Sequence, residues 1–125
     1  MSVRVRPPAP MVMVMKDCIF CKIIRREAPA TIMGENDDII AIKDINPKAP
    51  IHFLIIPKKH IKDINSLELD DYKIVPQLIF AAQKMAQDIP EAYNFKFLIN
   101  NGYSAGQRVF HLHAHFLAGQ TFSEL

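Results

Sequence analysis

Residues 109–118 read VFHLHAHFLA, and this short stretch contains three of the five histidines in the chain. Successive side chains of a β-strand point to opposite faces. In a strand over these residues, His111, His113 and His115 would share one face, whereas Phe110 and the other apolar residues between them would cover the second face. The stretch therefore predicts a strand with one face in the core and one row of imidazoles.

A row of imidazoles can act as nucleophile, proton donor or metal ligand, because the ordinary pKa of histidine lies close to neutrality. A solvated strand that happens to be rich in histidine is the alternative. A face that carries histidine alone makes a poor solvated surface, so the pattern favours a chemical role.

The other strands follow from alternating or continuous apolar runs between turn residues. Residues 38–43 (DIIAIK) and 51–56 (IHFLII) predict an antiparallel pair. Residues 30–33 predict a short strand with a turn at 34–37, and residues 95–100 predict another strand. With the histidine stretch, these strands indicate a mostly antiparallel five-stranded sheet.

Two helices complete the prediction. Apolar residues recur at helical spacing over residues 74–86 and predict a long helix that begins at residue 70 or 71 and ends near Asp88. Pro76 requires either a late helix start or a kink. A short amphipathic helix is predicted at residues 19–24. The fold class is therefore α+β, with the long helix on one face of the sheet.

Length and charge limit the function classes. The 125 residues fit one domain, with residues 1–16 as a tail and residues 17–125 as the folded part. The tail is expected to be an upstream or non-native extension, with an added edge strand at 11–15 as the alternative. A formal charge of +2 without a basic stripe predicts no nucleic-acid partner. No membrane segment or secretory signal is visible, so we expect a cytoplasmic protein.

Cys18 and Cys21 form a CxxC pair. Without a secretory signal, this spacing favours metal binding or redox chemistry over a structural disulfide. A thioredoxin-like pair would follow a strand and open a long helix, which the pattern does not show. Packing cysteines without a metal remain an alternative.

The loop NGYSAGQR, residues 101–108, runs into the histidine stretch. Its backbone amides, Gln107 and Arg108 can gather beside His113, and such donors next to imidazoles suit a phosphoryl group. An ordinary chain turn is the alternative.

Three separated motifs resemble the Hint branch of the histidine-triad superfamily. The histidine stretch fits the HφHφHφφ signature of that superfamily, where φ is apolar. CIFCKIIRRE at residues 18–27, DINPKAPIHFLIIPKKH at 44–60 and the Gly106-Gln107 pair occur in the order and spacing of the branch. The resemblance covers residues 17–119 and implies a single histidine-triad domain.

The resemblance implies a nucleotide phosphoramidase or nucleotidyl hydrolase, which cleaves a purine nucleotide conjugate at the α-phosphorus through a covalent nucleotidyl-histidine intermediate. It implies His113 as nucleophile, His115 as proton donor and His52 in the same pocket. It further implies phosphate contacts from Asn100, Gly106, Gln107 and Arg108, and a nucleoside slot formed by Ile19, Phe20, Ile23, Ile42, Asp44, Ile45 and Leu54. Arg108 departs from the small hydroxyl residue that animal members often carry, and it either approaches the phosphate or points to solvent.

The resemblance also implies a cofactor and an assembly. Bacterial members with this CxxC are similar to zinc-binding proteins, which implies a closed, structural zinc site made by Cys18, Cys21, His60 and His111. The branch is usually homodimeric, so we expect a homodimer.

A non-catalytic nucleotide-binding scaffold and a dinucleoside polyphosphate hydrolase are the alternative functions. A metal-dependent oxygenase is less favoured because the strand offers no carboxylate ligand.

Overall fold

The computed structural model describes residues 18–123. The predicted tail, with its alternative edge strand, lies outside the described residues. Strands β1 (Ile32–Glu35), β2 (Ile39–Lys43), β3 (Ile51–Pro57), β4 (Phe95–Leu98) and β5 (Ala114–Ala118) form one sheet in the order β1-β2-β3-β5-β4. Every neighbouring pair is antiparallel. The predicted α+β fold with a five-stranded sheet is confirmed.

Two α-helices flank the sheet: α1 at Ile19–Ile24 and α2 at Val75–Asp88. A 3₁₀ turn over Leu69–Ile74 precedes α2, so Pro76 lies in the first turn of the helix. Proline is tolerated there because the first-turn N–H groups have no partner within the helix. The predicted late helix start is therefore correct, and no kink is needed. Among the described residues no helix is long and apolar enough to cross a bilayer.

The two faces of the sheet have different coverings. Phe53, Ile55 and Phe116 point to one face, where they pack with Leu78 and Ala82 of α2. The opposite face forms a second apolar cluster against α1, which consists of Phe20, Ile23, Ile40, Ile42, Leu54 and Ile56. Because α1 is only six residues long, it covers only part of this second face.

Strand register aligns the remaining side chains of the second face in rows. Ile42 lies opposite Leu54, Leu54 opposite His115, and His115 opposite Leu98, so one row crosses four strands. The next row comprises His52, Leu117 and Lys96. The sheet thereby places His52 and His115 in adjacent rows, where their rings can meet.

The histidine strand is shorter than predicted. β5 begins at Ala114 rather than at residue 109, because the preceding backbone bonds outside the ladder: the Leu112 N–H donates to the Ile61 carbonyl. The predicted inward position of Phe110 is wrong, since this side chain is 42% exposed in the bend before β5.

The two outer strands also differ from the prediction. β1 contains Gly34, which the sequence suggested as a turn residue, and a register shift lies between Ile32 and Gly34. All four β1 residues are exposed, and the strand begins two residues later than the stretch 30–33 that was predicted for it. β4 ends at Leu98, and Asn100 lies in the following loop.

Candidate active site and metal centre

A cavity of about 810 Å³ opens on the second face of the sheet, beside α1. Its walls include all three predicted catalytic histidines, His52, His113 and His115. All seven predicted nucleoside-binding residues also line it: Ile19, Phe20, Ile23, Ile42, Asp44, Ile45 and Leu54. Asn100, Gly106 and Arg108 line it as well. Of the fourteen residues predicted to act in catalysis or to bind phosphate or nucleoside, thirteen therefore line one cavity, and Gln107 is the exception.

His113 is fixed by the backbone beside it. Its Nδ1 donates to the main-chain carbonyl oxygen of His111 at 2.7 Å, and the Phe20 ring contacts it edge-on with centroids 5.0 Å apart. Burial lowers the pKa of His113, so the ring is neutral at pH 7. With its proton on Nδ1, the ring keeps an unprotonated lone pair on Nε2. This lone pair can act as a nucleophile.

His52 and His115 form a directed hydrogen-bonded pair. The Lys48 backbone N–H donates to Nδ1 of His52 at 3.0 Å, so a neutral His52 carries its proton on Nε2. That Nε2 lies 2.9 Å from Nδ1 of His115 and donates to it. His115 must then carry its own proton on Nε2. The Lys48 amide therefore determines the tautomer of both rings.

Burial is the main influence on the charge of this pair. Burial, helped by the neighbouring His113 and His52 rings, lowers the pKa of His115 to about 4. Burial also lowers the pKa of His52, although the Asp44 carboxylate, 3.4 Å from Nε2, opposes the shift. Both rings are therefore neutral at pH 7, and His115 offers a neutral N–H.

The loop before the histidines has a backbone that requires glycine. Gly106 has a φ of +103°, and a Cβ there would lie 3.3 Å from Nδ2 of Asn100. The same Asn100 Nδ2 donates to the Ala105 carbonyl at 2.9 Å. These contacts hold Asn100 and Gly106 side by side at the cavity wall.

Gln107 has a different position from the other predicted phosphate residues. Its side chain is buried: Nε2 donates to the Lys62 and Val109 carbonyls, and Oε1 accepts from the Gly102 N–H. It is absent from the cavity lining, and these bonds order the loop instead. Sequence motif alone could not separate a phosphate ligand from the residue that shapes its loop.

Arg108 lines the cavity at the end of the same loop. Its Nη1 donates to the Tyr103 carbonyl at 2.7 Å and to the Gln107 carbonyl at 3.1 Å. The guanidinium lies over the Tyr103 ring, 4.0 Å from the centroid. The cation is therefore held against its own loop.

Some cavity residues were missed by the sequence analysis. Lys96 and Leu98 line the wall from β4, and Gln120 and Phe122 close it from the segment after β5. The sequence shows only that Lys96 and Leu98 share one face of a strand. It could not place Lys96 in the cavity, because the alignment of Leu98 with His115 depends on the strand register. The Lys48 amide gave no signal, since its role depends on a loop conformation.

A second cluster, made of cysteine and histidine side chains, lies on the far side of Phe20 from the centre of the cavity. The ligand atoms of Cys18, Cys21, His60 and His111 all lie within 4.8 Å of one another. The Nδ1 of His111 lies 3.4 Å from Sγ of Cys18 and 3.6 Å from Sγ of Cys21, and Nδ1 of His60 lies 3.2 Å from the latter. Sulfur and nitrogen ligands on one tetrahedral zinc are about 3.6 Å apart. The donor set and its spacing fit zinc.

The surroundings of His111 support that fit. Its Nε2 donates to the Pro57 carbonyl at 2.7 Å, which leaves the Nδ1 lone pair facing the sulfurs, as in a metal ligand held by an outer hydrogen bond. Burial lowers the pKa of His111 to about 4, so the ring is neutral. Burial and the Cys18 sulfur raise the pKa of Cys21 to about 12. A cation between the sulfurs is what would hold them as thiolates.

Comparison with known proteins identifies the family of this chain. Residues 17–124 match the family described as scavenger mRNA decapping enzyme, C-terminal binding. A HIT-like protein of Synechocystis sp. is 45% identical over 108 residues, which are 86% of this chain and 95% of that protein. The chain belongs to the histidine-triad superfamily.

Solved structures of this superfamily have the same fold. A HIT family hydrolase from Clostridium thermocellum is 45% identical, with a TM-score of 0.84 over 88% of this chain and 96% of that one. A zinc-bound histidine-triad protein from Mycobacterium smegmatis is 30% identical, with a TM-score of 0.75 over 85% of this chain and 77% of that one. The superfamily assignment inferred from the motifs is confirmed.

Proposed function

We propose that this histidine-triad protein is a nucleotidyl hydrolase of the phosphoramidase type, which cleaves a purine nucleotide conjugate at the α-phosphorus. The observation that carries the proposal is the hydrogen bond from Nδ1 of His113 to the His111 carbonyl. This bond leaves Nε2 of the neutral ring unprotonated at the cavity wall, and its lone pair is the nucleophile in this proposal.

The reaction has two displacements. In the first, Nε2 of His113 attacks the α-phosphorus, an N–P bond forms, and the bond from phosphorus to the leaving amine breaks. In the second, water attacks the same phosphorus, the N–P bond breaks, and the nucleoside monophosphate leaves while the proton released by the water returns to Nε2 of His115. Covalent catalysis of this kind divides one difficult step into two easier ones.

An amine leaving group needs a proton as its bond to phosphorus breaks. The Nε2–H of His115 supplies it in this proposal, and the proton that water releases in the second displacement restores it. The hydrogen bond from His52 holds the His115 ring in the Nε2–H tautomer. His52 thus acts on the reaction through His115. The Lys48 amide keeps both rings in the tautomer that this transfer requires.

The substrate position follows from the character of the walls. Phe20, Ile23 and Leu54 form the apolar end, which suits a purine base, and Asp44 offers its carboxylate to the ribose hydroxyls. Asn100, Gly106 and Arg108 surround the α-phosphate. Ile19, Ile42 and Ile45 complete the nucleoside slot. We assign Gln107 to positioning this loop through its bonds to Lys62, Val109 and Gly102.

We also propose that Cys18, Cys21, His60 and His111 hold a structural zinc ion, a role supported by the zinc-bound M. smegmatis relative. When bound, zinc would join α1, the end of β3 and the segment before β5 and take no part in the reaction. Four protein ligands leave no open position for substrate.

The proposed assembly is a homodimer. β4 is an edge strand of the described sheet, and Phe95 on it and Phe80 on α2 are 38% and 63% exposed. An exposed apolar edge strand is suited to pairing with a second copy of itself.

The proposed location is the cytoplasm, because a reducing compartment suits two unpaired cysteines in a zinc site.

The direct test is hydrolysis of a fluorogenic adenosine 5′-phosphoramidate by the purified protein and by His113→Ala. The proposal predicts turnover that the substitution removes, with adenosine monophosphate affinity retained within a few-fold. Tight nucleotide binding without turnover by either protein would instead indicate a non-catalytic nucleotide-binding scaffold.

A further inference from the structure

The cavity has two chemically different ends. Toward β2 and α1 its walls are mostly apolar, with Phe20, Ile23 and Ile42. The charged residues at this end are of both signs: Asp44, Lys43 and Lys48. Toward β4 and the loop before His111, Lys96 and Arg108 line the wall. His115 lies between the two ends, because its row runs from Ile42 on β2 to Leu98 on β4.

The two cations at the β4 end have no acidic partner among residues 18–123. Neither Lys96 nor Arg108 has a carboxylate of those residues within ion-pair distance, whereas Arg25, Arg26 and Lys58 on the outer surface are each paired with glutamate. Two cations that approach one concavity without neutralisation produce a positive potential, and this potential favours an anion.

Both cations are anchored by other contacts. Arg108 is held over the Tyr103 ring and bonded to the Tyr103 carbonyl. Lys96 is half-buried, and its Nζ lies 5.8 Å from the centroid of Phe122. Cations that are already ordered lose less conformational entropy when a ligand binds.

We propose that Lys96 and Arg108 select substrates whose leaving group is itself anionic. The inference rests on the proposed hydrolase function, which places the nucleoside at the apolar end and therefore directs the leaving group past His113 and His115 to the cationic end. The anion is either a carboxylate on the leaving amine or the phosphate chain of a nucleoside polyphosphate.

The chemistry balances for both sources. With an amino-acid amidate, the P–N bond breaks and the amine takes the proton from Nε2 of His115. With a polyphosphate, the P–O bond breaks, the leaving phosphate keeps the electron pair, and no proton is needed. In both reactions His113 forms the N–P bond that water later cleaves.

The test uses three adenosine 5′-phosphoryl substrates. The aspartate amidate and the aspartate diamide amidate are matched in size and differ in leaving-group charge, and diadenosine triphosphate provides the phosphate source. The measured quantity is the ratio of kcat/KM for each charged substrate to kcat/KM for the diamide. Intrinsic reactivity cancels when this ratio is compared between the wild-type protein and a variant.

Lys96→Gln should lower the ratio by about five-fold or more for at least one charged substrate while diamide turnover is unchanged, and Lys96→Glu should lower it further. Arg108→Ser should lower all rates, with the charged substrates affected more. Lys73→Gln, an exposed lysine outside the cavity lining, is the matched control and should leave every ratio unchanged. A change with the aspartate amidate alone identifies a carboxylate, and a change with diadenosine triphosphate alone identifies phosphate.

Ratios that are equal in wild type, Lys96→Gln and Arg108→Ser, with normal His113-dependent diamide turnover, would overturn the inference and leave the hydrolase function intact. Absence of His113-dependent turnover of all three substrates would overturn the proposed function and the inference together. Thermal melting of the Lys96 variants identifies any loss of folding.

Discussion

Nδ1 of His113 donates a hydrogen bond to the main-chain carbonyl oxygen of His111, with 2.7 Å between the two atoms. The side chain of the same His111 faces Cys18 and Cys21 with its own Nδ1. One residue therefore fixes the tautomer of the proposed nucleophile and belongs to the metal cluster. Loss of the metal is therefore expected to affect the reaction only by loosening the backbone that carries this carbonyl.

The first prediction concerns the metal. The purified protein should contain close to one zinc ion per chain, and removal by a strong chelator should lower the Tm by more than about 10 °C, because binding energy at a closed site is folding energy. Turnover should decline only as the fold loosens. Elemental analysis and thermal melting measure both quantities.

Two variants sharpen this experiment. Cys21→Ser should lose zinc and melting temperature together, whereas His115→Gln, which lies outside the cluster, should retain its zinc. A zinc-free protein whose melting is indifferent to chelator would show that the cysteines are packing residues. Immediate loss of activity on chelation, with melting unchanged, would show that the metal takes part in catalysis.

The second prediction concerns His52 as a positioning residue. His52→Ala removes the donor to His115 and should lower kcat by about 10²-fold or more on an amine substrate. His52→Gln should recover part of that loss, because its amide can accept from the Lys48 N–H and donate to His115. Steady-state kinetics separate kcat from KM, and equal rates for the Ala and Gln variants would contradict this positioning role.

The third prediction is the titration of His115. Because burial lowers its pKa to about 4, the ring should remain neutral at pH 6 with its proton on Nε2. Nitrogen NMR of the imidazoles reports both the tautomer and the midpoint. The folded pKa lies below the unfolded value, so stability from this group is present above pH 6.5 and decreases as the pH falls toward 4. A midpoint near 6.5 would show that the ring is solvated rather than buried.

The fourth prediction is the assembly. Light scattering at micromolar concentration should give twice the monomer mass, because β4 presents an unpaired edge in the described sheet. Phe95→Glu should shift the protein toward monomer by placing a charge on that edge, whereas Tyr72→Glu, an exposed aromatic on the turn before α2, serves as a control. A wild-type monomer at these concentrations would refute the dimer.

Much of the fold could be predicted from local patterns. β2, β3 and α2 follow from apolar runs and helical spacing, and Pro76 marked the late start of α2 correctly. The strand predicted at residues 30–33 is found at Ile32–Glu35, because its bounds and its register shift depend on pairing with β2. The late start of β5 follows from the Leu112 bond to Ile61, which no local rule could indicate.

The sequence could predict which residues belong to the candidate site, but it could not predict how their side chains are arranged. Motif order indicated which histidines and cysteines to group, and the structure brings those groups together. The distinction between Gln107 in the loop interior and Arg108 at the cavity required side-chain bonds. The Lys48 amide acts through its backbone, so its identity as lysine carried no information about the role.

The most direct test of the account is identification of the covalent intermediate. The protein is mixed with an adenosine phosphoramidate, quenched at alkaline pH within one turnover and analysed by peptide mass spectrometry. We expect an acid-labile adenylyl group on His113, and a decrease in turnover of about 10⁴-fold or more in His113→Ala, which should carry no such group. An adenylyl group on another residue, or turnover by His113→Ala at the wild-type rate, would contradict it.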